Sequence, residues 1–224
     1  DTTVYGQDLK MRNGLASLLC KMERIDDPVW IRLLYAYPTG ITDRLIETIA
    51  NSGKVVRYLD IPIQHASDGI LKAMRRPADS ENMLRRIETW RGMISEIALR
   101  STFIVGFPGE TEEDFERLLA FLREARLDRA GAFTYSPVGG AFANTLPGQV
   151  PEELKQERLE RFMETQSAIS ADKLQERVGI SYTVLIDEVH DGQAIGRSYA
   201  EAPEVDGVVV IENGEGLEPG DAVD

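Results

Sequence analysis

Cysteine is almost absent from this 224-residue chain: Cys20 stands alone, so no internal disulfide can form, which suits a cytoplasmic protein. Histidine is nearly as scarce. His65 and His190 are the only two, and no His, Cys and carboxylate group has metal-ligand spacing, so no metal ligand is assigned. No apolar run approaches the ~20 residues of a membrane span, and no signal-peptide pattern opens the chain. Neither a Walker loop nor a Ser-His-Asp pattern is present. Bases are outnumbered. The 25 Lys and Arg against 38 Asp and Glu leave a net charge of −13, which repels phosphate backbones and attracts basic partners.

What the chain does have is 42% hydrophobic residues, arranged with two periodicities. Apolar runs at Trp30–Pro38, Val55–His65, Phe103–Val105 and Ala130–Pro137 read as buried strands. Each is followed by a helical pattern. Thr42 precedes Leu45, Ile46 and Ile49, with Gly53 closing; Ser80 precedes Leu84, Ile87, Trp90 and Ile94; Phe115, Leu118, Leu119 and Leu122 keep i, i+3, i+4, i+7 spacing. Strands alternating with helices predict parallel strands with crossover helices, and hence an α/β fold: a partial (β/α) TIM-like barrel. The chain opens on Asp1-Thr2-Thr3 without a methionine and closes on Asp221-Ala222-Val223-Asp224, which reads as a fragment.

The pattern changes after one long predicted helix over Pro151–Val178, whose stripe is Leu159, Phe162, Met163 and Ile169. From Gly179 to Asp224 short alternating strands are separated by Asp-Gly and Asn-Gly turns, predicting an incomplete antiparallel β-barrel. The expected division is therefore 1–178 and 179–224. The second unit carries eleven acids and one base, Arg197. Such a surface suits a basic protein partner, although acidic loops also serve simply to keep a small domain soluble.

The segment from Ser101 to Phe115, STFIVGFPGETEEDF, carries the densest signal. A β-prone run ends on Gly106-Phe107-Pro108-Gly109, and Thr111 with Asp114 begins a helix as a capping box does. Strand ends of this kind gather on the ligand-binding face of parallel α/β folds.

Seven stretches in order, DTTVYGQDL, RLLYAYPTGIT, YLDIPIQHAS, MRRPADSENML, FIVGFPGETEEDF, FTYSP and GRSYAEAPEVDG, resemble the radical S-adenosylmethionine methylthiotransferases over essentially the whole chain. The wording YLDIPIQHAS and APEVDG is closer to the branch that modifies a ribosomal protein than to the branch that modifies transfer RNA. The resemblance implies a radical SAM barrel followed by a TRAM β-domain. It implies S-adenosylmethionine and two 4Fe-4S clusters as cofactors, and transfer of a methylthio group to the β-carbon of an aspartate in a small-subunit ribosomal protein. It also places the cluster-binding cysteines upstream of Asp1, so that this chain alone neither binds the clusters nor turns over. After Tyr135-Ser136-Pro137 the family usually has an acidic pair and Gly-Thr, where this chain has Val138-Gly139-Gly140-Ala141-Phe142.

On that reading Gln64, Gly106, Phe107, Pro108, Gly109, Tyr135 and Ser136 are cofactor-binding candidates, through an amide, an aromatic face and open backbone. Asp1, Tyr5, Tyr37, Arg75 and Arg76 are substrate candidates, the arginines for their planar fork. No catalytic residue is assigned within the chain. Each candidate has a plainer alternative: Gln64 capping a loop, Phe107 packing in a core, Arg75 and Arg76 complementing a helix dipole. His65 reads as a structural histidine without a visible partner, and Cys20 as a small buried hydrophobe. Two other functions remain open: a docking module for a basic ribosomal protein, with transfer RNA the less favoured partner, and an unrelated barrel enzyme.

Overall fold

The computed structural model describes residues 1–26, 30–77 and 79–224. Four strands, β1 (Ile31–Leu33), β2 (Val55–Gln64), β3 (Ala98–Val105) and β4 (Arg129–Thr134), form one sheet in the order β1-β2-β3-β4. All its pairings are parallel. Helix α1 (Gly14–Met22) precedes it, and α2 (Asp43–Asn51), α3 (Asp68–Ala73), α4 (Ser80–Met93), α5 (Glu112–Ala125) and α6 (Glu152–Gln175) follow successive strands. The sheet is half of a TIM-like barrel.

Alternation along the strands divides the sheet into two faces. Leu59, Ile61 and Ile63 of β2 and Leu99, Phe103 and Val105 of β3 turn to the helices. There they join Leu45, Ile46, Ile87, Phe115, Leu118 and Phe162 in one core. The intervening residues, among them Arg32, Tyr58, Asp60 and Arg100, occupy the inner face. Helix starts follow local chemistry. The Thr42 side chain accepts from Leu45 N at the head of α2, Asp79 caps α4, and Thr111 with Asp114 makes a full capping box on α5.

Three expectations are refined. The run Trp30–Pro38 contains only three residues of strand, because Tyr35 turns into the left-handed region at φ +57° and ends the ladder. On α6 the buried stripe is Lys155, Arg158, Phe162, Gln166 and Ile169, whereas Met163 is exposed. Cys20 on α1 is only partly buried.

Strands β5 (Val184–His190), β6 (Gln193–Arg197), β7 (Val209–Ile211) and β8 (Ala222–Val223) form an antiparallel sheet ordered β7-β6-β5-β8. Asp191 and Gly192, at φ +51° and +81°, make its tight hairpin. Its core is Val184, Ile186 and Ala194.

The two sheets meet on the inner face of the first. Ala200 and Ala202, in the loop after β6, pack on Val56, Tyr58 and Ala98. Arg32 donates to the carbonyls of Ser198 and Tyr199, and Tyr58 donates its hydroxyl to Asp206 at 2.6 Å. Arg129 and Arg177 both face Glu201, at 3.7 and 3.4 Å. Glu201 and Asp206 are thus taken up by this contact, so the acidic outer surface of the second unit consists of Glu188, Asp191, Glu204, Glu212, Glu215, Glu218, Asp221 and Asp224. Burial and the bond to Asp206 push the Tyr58 phenol well above its usual pKa. Burial, helped by the charge of Arg197, lowers that of Arg32.

Candidate functional site

Parallel pairing brings the ends of all four strands to one edge of the sheet, which is where α/β folds bind ligands. At the end of β2 the register shifts between Ile61 and Gln64, and Gln64 takes a left-handed backbone at φ +75°. The residue is 9% exposed, and its side chain enters no hydrogen bond among the described residues. A non-glycine residue held in that conformation costs about 1–3 kcal/mol and persists only where its surroundings enforce it.

The next residue anchors a buried network. His65 is fully buried and its Nε2 lies 3.1 Å from Glu110 Oε2, while Nδ1 accepts from Ser67 N at 2.9 Å. With Nδ1 accepting, Nε2 carries the proton and donates to the carboxylate. Both Glu110 oxygens also accept from Gly106 N, at 3.0 Å, and Oε1 accepts from Arg158 at 2.8 Å. One carboxylate therefore ties the loop after β2, the turn after β3 and the helix α6. Ser67 extends the network to Asp114 at 2.6 Å. Burial raises the Asp114 pKa, but its hydrogen bonds from Ser67 and Thr111 outweigh that and hold it below the usual carboxylate range.

Lys155 completes the framework. Its ammonium donates to the Tyr135 carbonyl at 2.9 Å, fastening the end of β4, and its stem lies against Gly106 so closely that a Cβ there would overlap Lys155 Cγ. Gly106, at φ +70°, is therefore required by Lys155 as well as by its backbone angle. Gly109, at φ +87°, donates to the Gly148 carbonyl at 2.8 Å. Phe107 is buried edge-on to Tyr135, centroids 5.2 Å apart, with Ile70 beside them. Pro108 is buried too, while Ser136 is exposed. Of the cofactor candidates, the side chains of Gln64 and Ser136 remain uncommitted, and Gly106, Phe107 and Tyr135 are bound into the framework.

The substrate candidates divide. Asp1 Oδ1 accepts from Tyr37 N at 3.3 Å, and Arg76 lies over the Tyr37 ring, 5.3 Å from its centroid. Tyr37, Arg76, Pro62, Ile63 and His65 border one cavity of about 80 Å³. Arg75 instead covers Phe142 at 4.6 Å, and Tyr5 lines a separate cavity with Met11, Thr39 and Leu45. Sequence reading missed Glu110, Lys155 and Arg158. The available signal was on α6, where a basic i, i+3 pair continues the stripe of Phe162 and Ile169.

Residues 4–122, more than half of the chain, match the radical SAM superfamily, and the chain belongs to it. Residues 178–224 match a TRAM domain. Among curated proteins, ribosomal protein uS12 methylthiotransferase RimO of Chromobacterium violaceum is 52% identical over 230 residues, covering 99% of this chain and 52% of that protein. The protein of the same name from Nitrosomonas eutropha is 54% identical over 232 residues, covering 100% and 52%. The chain spans about half the length of the curated relatives it matches. Coproporphyrinogen III oxidase (HemN) from Escherichia coli, a radical SAM enzyme, superposes with a TM-score of 0.56 at 18% identity, covering 73% of this chain and 38% of that one, which establishes the fold alone.

Proposed function

We propose that this chain is the barrel and TRAM portion, divided as 1–178 and 179–224, of a radical SAM methylthiotransferase acting on an aspartate of ribosomal protein uS12. The observation that carries this is the 52–54% identity, sustained over 99–100% of the chain, to proteins named for that activity. In that reaction a methylthio group replaces a hydrogen on the aspartate β-carbon.

The radical SAM superfamily in general uses S-adenosylmethionine with a 4Fe-4S cluster. Fe–S clusters take cysteine thiolates. This chain has Cys20 alone, and among the described residues no three or more His, Cys, Asp or Glu side chains are placed to hold a metal ion. Its residues do not fit such a cluster, so cluster ligation is assigned to the remainder of the complete protein.

S-adenosylmethionine does have a place here. The idle Gln64 amide supplies a donor and an acceptor to its polar groups, the exposed Ser136 hydroxyl adds a second contact, and Glu110, Lys155 and Arg158 hold the ends of β3 and β4 rigid around it. The Arg76 and Tyr37 pair faces the substrate side, where a guanidinium suits a carboxylate. The eight exposed acids of the TRAM portion suit a basic ribosomal protein better than transfer RNA. No helix among the described residues is long and apolar enough to cross a membrane.

The test is to reconstitute the complete protein anaerobically and incubate it with uS12, S-adenosylmethionine, a reductant and a sulfur source. Mass spectrometry should locate one methylthio group on an aspartate. Modification of a transfer-RNA adenosine, with uS12 untouched, would refute the reading.

A further inference from the structure

Two non-glycine residues at neighbouring strand ends adopt a left-handed backbone, Gln64 after β2 and Tyr35 after β1. For a residue as bulky as tyrosine this conformation is unfavourable and persists only where the surroundings enforce it. The surroundings of Tyr35 do so from both sides. Its N–H donates to Asp60 Oδ2 at 3.0 Å, and its carbonyl accepts from Thr2 N and Thr2 Oγ1 at 3.3 and 3.2 Å.

Asp60 is itself held. It is 8% exposed, and its other oxygen accepts from Arg100 at 2.7 Å. Burial lowers and the bond to Asp60 raises the Arg100 pKa, the net being upward, so the guanidinium stays charged. Arg100 Nε in turn lies 3.7 Å from Asp206 Oδ1, and Asp206 is fixed by Tyr58 and by Ala202 N at 2.9 Å. A continuous line of contacts therefore runs from the TRAM loop through Arg100 and Asp60 to the backbone of Tyr35. At its end is a ring that the fold leaves 47% exposed, with a phenol that makes no hydrogen bond among the described residues. Were only the turn required, glycine would serve at φ +57° without strain.

We propose that Tyr35 contacts the polypeptide substrate, and that Asp60, Arg100 and Asp206 are positioning residues through which the TRAM portion sets the ring. The proposal rests on the methylthiotransferase reading above. A polypeptide is favoured over the cofactor because β1 is the edge strand, one strand outside Gln64 and two, roughly 10 Å, from the β3 end. Tyrosine also supplies wide amphipathic contact at low entropic cost, as protein-binding surfaces do. Tyr37 and Arg76 close by add a guanidinium for a carboxylate-bearing segment.

Tyr35→Gly tests this without threatening the fold, since glycine accepts the backbone angle. In the complete protein its KM for uS12 should rise about tenfold, as loss of an aromatic contact does, with S-adenosylmethionine affinity by calorimetry unchanged and the melting temperature not lowered. Asp206→Asn should raise KM about threefold, and that effect should vanish in the Tyr35→Gly background, as coupled residues require. A KM within about twofold of wild type for Tyr35→Gly, a changed S-adenosylmethionine affinity, or an Asp206→Asn effect equal in both backgrounds overturns the proposal. Direct binding of uS12 is measured alongside turnover. Tyr35-dependent binding without methylthio transfer would overturn the functional reading and leave this inference standing.

Discussion

Gly106→Ala separates two reasons for the glycine, and the structure gives each a size. The alanine would sit at φ +70°, a left-handed conformation that costs an ordinary residue about 1–2 kcal/mol. Its methyl would also meet Lys155 Cγ, and Lys155 cannot swing clear because its ammonium is tied to the Tyr135 carbonyl and to Glu152. Overpacking of that kind adds about 1–3 kcal/mol, for a total of about 2–5 kcal/mol. In a Lys155→Ala background only the Cβ at 3.2 Å remains close, and the glycine substitution should cost little more than its backbone part. Urea unfolding of the four proteins of the cycle measures this directly, with an expected coupling of about 1–3 kcal/mol. Additive penalties would refute the packing account. Loss of S-adenosylmethionine binding with no loss of stability would return Gly106 to the role of a ligand-facing backbone.

Arg158→Met should cost about 3–5 kcal/mol by leaving the Glu110 carboxylate, fully buried, with too little compensation; the double variant Glu110→Gln with Arg158→Met should be milder than Arg158→Met alone, and a more severe loss in denaturant melts would contradict the network. Tyr58 has its pKa raised in the fold by burial and by Asp206, so the stability it confers is complete below the unfolded pKa of about 10 and is lost as pH rises beyond it. Alkaline unfolding above about pH 10 should accordingly be weakened in Tyr58→Phe, and identical alkaline profiles would show the phenol to be uninvolved. Replacing Glu212, Glu215 and Glu218 with lysine should slow association with uS12, and the wild-type rate should fall as salt rises; unchanged stopped-flow rates would reduce the acidic surface to a solubilising role.

How much of this was legible in the sequence depends on the distance over which each feature is determined. The strand and helix order, the caps at Thr42 and Thr111 and the hairpin at Asp191-Gly192 depend on residues within one or two turns, and local patterning revealed them. The partner of His65 was invisible because Glu110 lies 45 residues away. Hydrophobic periodicity selected Leu159 and Met163 for the α6 stripe, since Lys155, Arg158 and Gln166 are polar. Their burial is intelligible only once Glu110, the Tyr135 carbonyl and the Leu127 carbonyl are known to meet them. Glu201 and Asp206 were counted with the acidic surface for the same reason: Arg129 and Tyr58, which absorb them, lie on a different sheet, and Arg177 lies beyond α6. Of the candidate site, the strand ends themselves were legible, and the framework that holds them was not.

The loop from Ser198 to Asp206 also bears on how such proteins diversify. Because Glu201 and Asp206 are matched by Arg100, Arg129, Arg177 and Tyr58, and the Ser198 and Tyr199 carbonyls by Arg32, over all four strands of the first sheet and a segment beyond the last helix, the small domain is not a portable cassette. A graft from a TRAM-bearing protein lacking that loop would leave cationic side chains uncompensated on the inner face. Domain shuffling is closed to this architecture unless the inner face of the first sheet and the loop travel together, and recombination would succeed only at junctions that keep both within one inherited block.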